Sequence, residues 1–106
     1  MDLAEACYRE TAAFPRSEMY GLTSQIRRAA SSVPANIAEG YGRETRTSFI
    51  QFLRISQGSL KELETHVLLA ERVKFMTSDS ACKLGNETER VSKMLRNLIR
   101  SLQSRA

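Results

Sequence analysis

The chain has 106 residues, 42% of them hydrophobic and 26% charged, with a formal net charge of +4. That is ordinary for one globular domain with one core, and too short for two. No apolar run approaches the roughly 20 residues of a membrane span. The acidic start, MDLAEACYRE, also lacks the apolar segment of a secretory signal, so a cytoplasmic protein away from membranes is expected. The basic excess permits an anionic partner without demanding one, and arginine, which supplies most of it, suits phosphate contacts and interface ion pairs alike. Cys7 and Cys82 are far apart and belong to no CxxC motif. They form neither a disulfide framework nor a zinc site, and read as buried free thiols.

Helical periodicity recurs in four segments. A short first helix is expected from about Asp2 to Ala13, with Leu3, Ala6, Cys7 and Thr11 on one face. Pro15 ends it by moving Phe14 out of the α region, and Ser17 can cap the second helix.

The second helix carries Met19, Leu22, Ile26, Ala29, Ala30, Val33 and Ile37 at steps of three and four. The phase survives Pro34, so one helix kinked at Pro34 is expected rather than two. Pro34 removes a hydrogen bond to the carbonyl of Ala30, and Ser31 and Ser32 can satisfy backbone groups nearby. Gly40 and Gly42 read as the C-terminal stop.

The third and longest helix is expected over about Thr47 to Phe75, with Phe49, Phe52, Leu53, Ser56, Leu60, Leu63, Val67 and Ala70 inward. Thr45, Thr47 or Ser48 can cap it. A fourth helix is expected from about Asp79 to Ser104, capped by Thr77 or Ser78, with Asp79 placed well for the helix dipole. Its seam is Leu84, Thr88, Val91, Leu95, Leu98 and Leu102, widened by Met94 and Ile99. Four amphipathic helices on short links predict an all-α, antiparallel up-and-down four-helix bundle forming a single domain over residues 1–106.

Catalytic motifs are poorly supported. EGYGR holds a G-x-G, but no strand precedes it and no Lys-Ser/Thr pair comes after it, so it reads as a helix cap and turn. His66 is the only histidine, with Glu62 one turn before it and no second ligand for a metal. The paired E-x-x-H motifs of di-iron bundles are absent. No catalytic residue, metal or cofactor is assigned.

Two polar patterns remain. Gln25, Arg28, Ser32, Asn36, Glu39 and Arg43 form a second face on the second helix, suited to a subunit interface, a ligand surface or plain solvent. On the fourth helix Arg90, Lys93, Arg96 and Arg100 form a stripe, with Lys83 and Arg105 beyond it, while Arg27, Arg28, Arg43, Arg46 and Arg54 make a second basic group. Cations near a helix C-terminus are favoured by the dipole in any case. The functional alternative is sequence-independent phosphate binding. Tyr20 and Tyr41 are the only stacking candidates outside the core, so base-specific reading is not supported.

FPRSEMYGLTSQIRRAASSVPANIAEGYGR, then FIQFLRISQGSLKELETHVLLAERV and KMLRNLIRSLQ, closely resemble the bacterial 23S rRNA-intervening-sequence proteins over nearly the whole chain. The resemblance implies a four-helix bundle assembled as a homopentamer, with no assigned enzymatic activity. A related branch, the accessory proteins of diversity-generating retroelements, implies RNA or DNA and a reverse transcriptase as partners. Carried over, this places Arg27, Arg28, Arg43 and the helix-four stripe on a nucleic-acid surface. It also favours a neighbouring subunit against the helix-two polar face. Relatives usually have a longer first helix, so the resemblance implies either a shortened member or a lost start, and a shortened first helix is expected to bury less surface. The alternative reading is an oligomeric protein-interaction scaffold without nucleic acid.

Overall fold

The computed structural model describes residues 1–104. Helix α1 spans Asp2–Thr11, α2 Leu22–Tyr41, α3 Arg46–Arg72 and α4 Ser78–Gln103, with a 3-10 turn at Arg16–Glu18. The helices pack in cyclic order, α1 on α2, α2 on α3, α3 on α4 and α4 back on α1. The α2–α3 partners run in opposite directions: Arg28 meets Glu62, Ser32 meets Ser59 and Val33 meets Ser56. This is the expected all-α four-helix bundle. At about 1.5 Å per residue, α1 covers roughly 15 Å of a bundle whose long helices run about 40 Å.

The core occupies the predicted stripes. Ile26, Ala29, Ala30 and Val33 of α2 face Leu53, Leu60, Leu63 and Val67 of α3, closed by Leu84, Leu95, Ile99 and Leu102 of α4. Met94 does not widen this seam: it is 56% exposed. Cys7 is buried as expected, but Cys82 is exposed, because its position on α4 falls outside the apolar stripe.

The boundary of α2 differs from the sequence expectation. Ser17 lies in the 3-10 turn and caps nothing; α2 begins at Leu22, and Met19 before it is half-exposed. The Glu18 carboxylate takes the capping role, accepting from the Leu22 N–H at 3.3 Å. A carboxylate suits the positive end of a helix.

At the far end Gly40 is not a conformational stop. It is buried inside α2, and a Cβ there would sit 2.7 Å from Phe52 Cβ and 3.0 Å from Phe49 Cδ1. Gly40 is what lets α2 approach α3 closely. The helix ends one residue later, with Gly42 in ordinary right-handed geometry.

Helix α3 is capped by Thr45, whose hydroxyl accepts from Ser48 N–H. It ends at Arg72, short of Phe75, through a C-terminal turn. Phe75 N–H donates to the Ala70 carbonyl and Lys74 N–H to that of Glu71, with Lys74 at φ 65°. This is the Schellman arrangement with lysine where glycine is usual. Thr77 caps α4 by accepting from Ser80 N–H.

Candidate nucleic-acid interface

Helix α2 runs unbroken through Pro34, and its polar residues surround the proline turn. Asn36 Nδ2 donates to the Ser32 carbonyl at 2.8 Å and to Ser32 Oγ at 2.9 Å. Ser32 Oγ in turn lies 2.9 Å from Ser59 Oγ of α3. Ser31 Oγ donates to the Arg28 carbonyl, and the buried Ser56 Oγ of α3 donates to the Val33 carbonyl at 2.9 Å. The seam between α2 and α3 is therefore laced with hydrogen bonds within one chain.

The charged members of the stripe are also engaged internally. Arg28 pairs with Glu62 of α3 at 3.4 Å. Arg43 pairs with Glu39 at 2.6 Å, its guanidinium 4.9 Å from the Phe52 ring centroid. Arg27 donates from Nε to Thr11 Oγ1 at 2.9 Å and stacks over Tyr8 at 4.7 Å. Gln25 is exposed. A guanidinium already aimed at a carboxylate or an aromatic ring has fewer free N–H groups for a phosphate.

The α4 cations differ. Arg90, Lys93, Arg96 and Arg100 are exposed, and none forms an ion pair with a described residue. Arg105 lies outside the described residues. Arg46 donates to the Leu102 carbonyl at 3.3 Å, which fixes the start of α3 against the end of α4. From that point the antiparallel helices run together, so residues 45–61 lie along residues 87–103. Residues 45–58 carry Arg46 and Arg54 and no Asp or Glu; the part of α4 they lie along, beyond Glu89, carries four of that helix's five basic residues and no carboxylate. Acids gather at the other end of the α3–α4 pair, as Glu62, Glu64, Glu71, Asp79, Glu87 and Glu89.

The fold thus brings Arg46 and Arg54 to α4 rather than to the α2 arginines with which spacing grouped them. Lys61 stands at the margin of this group, 3.8 Å from Glu64 one turn on. The acid-free stretches are visible in the sequence; their adjacency needs the helix register. Clustered unpaired cations raise the local positive potential and steer polyanions.

His66 Nε2 is buried without a hydrogen bond, 3.4 Å from a Glu62 oxygen that also faces Arg28. Burial, with smaller contributions from Glu87 and Glu10, pushes the Cys7 thiol up to about 12. Among the described residues no three His, Cys, Asp or Glu side chains gather to hold a metal. No described helix is long and apolar enough to cross a membrane.

The family profile of the 23S rRNA-intervening sequence proteins matches residues 1–97. The chain belongs to that family. A solved structure from Bacteroides thetaiotaomicron, described as a protein of unknown function from the S23 ribosomal protein family, is 24% identical. It superposes with a TM-score of 0.82 over 92% of each chain, which establishes the shared fold of this intervening-sequence protein. No curated protein matches it.

Proposed function

We propose that this family member is a non-enzymatic, cytoplasmic, self-associating bundle that binds nucleic acid by its phosphates, without regard to sequence. One observation carries the reading. The paired acid-free stretches of α3 and α4 gather Arg46, Arg54, Arg90, Lys93, Arg96 and Arg100 toward one end of the bundle, and the α4 members are unpaired. Engaging about four phosphates gives a slope of about −4 in log affinity against log salt for duplex DNA. A labelled RNA hairpin and a duplex DNA, titrated by anisotropy from 50 to 200 mM salt, should lose affinity on the order of 100-fold. Absence of binding at the low-salt end would leave the scaffold reading in its place.

The self-association part rests on a separate feature. Ile55 and Leu69, 50% and 47% exposed, share a side of α3, and the antiparallel register puts Ile55 level with exposed Ala35 of α2, one turn from exposed Ala38. Small residues there allow close approach by a second copy, as in the ring of five that the resemblance implies. Sedimentation velocity should show an oligomer that Ile55→Glu with Leu69→Glu dissociates; a monomeric parent protein would refute it.

A further inference from the structure

We propose that the cleft where the α2–α3 turn meets the end of α4 holds one unpaired nucleotide, its base stacked on Tyr41 and its phosphate on Arg46. The inference deepens the nucleic-acid reading above and rests on it. The cleft is a shallow depression of about 550 Å³, widely open to solvent, and is lined by Tyr41, Arg43, Glu44, Arg46, Phe49 and Leu102.

Tyr41 is 79% exposed, yet its ring is placed by Phe49. Their centroids are 6.0 Å apart and their planes 86° from parallel. An edge-to-face contact orients an exposed ring at little entropic cost and leaves area for stacking. The other tyrosines lack this setting. Tyr8 already carries Arg27 at 4.7 Å, and Tyr20 sits beyond the opposite end of α2.

Arg46 is held at the cleft by its 3.3 Å hydrogen bond to the Leu102 carbonyl. A guanidinium has five N–H donors, so most stay available for a phosphate. Arg43 is tethered to Glu39 and plays a lesser part. Glu44 is the carboxylate in the lining. It repels phosphate and is able to accept from the exocyclic amino group that cytosine, adenine and guanine share, so it selects no single base. The cleft lies at the acid-free end of α3 and α4, so a strand leaving Arg46 runs onto Arg54, Arg96 and Arg100.

The chain has no tryptophan, so Tyr41→Trp installs a single indole reporter at the site. Its emission would be monitored at 50 mM salt with unpaired ten-residue oligocytidine as RNA and as DNA, a blunt DNA duplex and inorganic polyphosphate. Quenching by either oligocytidine, and by neither the duplex nor polyphosphate, is the expected result; the RNA and DNA arms show which sugar is accepted. Stacking on one base should make Tyr41→Ala lose about tenfold affinity for oligocytidine. Tyr41→Phe should retain it, and Tyr41→Ala should leave duplex affinity unchanged. Arg46→Ala should reduce the single-strand salt slope by about 0.7. Oligocytidine binding, seen by anisotropy, without indole quenching or a Tyr41→Ala effect would overturn the inference while leaving phosphate binding standing. No binding in any arm would overturn both.

Discussion

Arg28 of α2 and Arg43, just past its end, each reach a carboxylate within the chain, whereas Arg90, Lys93, Arg96 and Arg100 of α4 reach none among the described residues. Both sets recur at helical spacing, and by composition they are interchangeable. What separates them is the partner within reach: Arg28 meets Glu62 of the neighbouring helix and Arg43 meets Glu39 one turn back. α2 lies against the part of α3 that carries Glu62, Ser59 and Ser56, and its polar groups close a seam. The end of α4 lies along the part of α3 with no acid. A basic residue contributes to polyanion binding according to what it already touches, not according to its count.

The difference between engaged and free groups can be tested across the molecule. The largest contrast is between the two thiols. Cys7 should be unreactive toward a thiol reagent at pH 8 while Cys82 is modified, because burial holds the Cys7 proton. The same shift makes a pH prediction. The folded thiol is raised above its ordinary 9.0 to about 12, so its stabilising contribution is complete below pH 9. It is lost as pH rises from 9 toward 12, since the unfolded chain releases that proton first. Unfolding in urea at pH 8 and pH 10.5 should show the decrease, and Cys7→Ala should remove its pH dependence.

Next comes the α2–α3 seam. Gly40→Ala forces a methyl against Phe52 and Phe49, and should cost about 1–3 kcal/mol in chemical denaturation. Ser56→Ala removes the buried donor to the Val33 carbonyl and should cost about 1 kcal/mol. A stability loss from Gly40→Ala below that from Ser56→Ala would mean that the helices can separate there freely. Smallest is the exposed Arg28–Glu62 pair, for which a double-mutant cycle should give about 0.2–1 kcal/mol.

Much of the fold was legible because core positions recur every three or four residues, through Pro34 and along the Leu84 to Leu102 seam. The start of α2 was not, since Ser17 is of the residue type that caps helices, whereas the 3-10 turn moves the start past it and gives the role to Glu18. Gly40 shows a deeper limit. A glycine near a helix end reads as a stop, but its role here is set by Phe49 and Phe52 of the next helix. The site divides in the same way. The α4 stripe is a local pattern and was visible. The engagement of Arg28 depends on a residue 34 positions away, and the approach of Arg46 and Arg54 to α4 depends on helix register.

The most direct test compares the two sets of cations on one labelled RNA hairpin, titrated by anisotropy from 50 to 200 mM salt. Replacing Lys93, Arg96 and Arg100 together with Glu should reduce affinity at low salt by about 100-fold or more and flatten the salt slope by about 2–3. Replacing Arg28 and Arg43 with Ala should change affinity by less than about threefold, because those groups are already paired. Equal losses from both variants, or full binding by the α4 variant, would contradict the account.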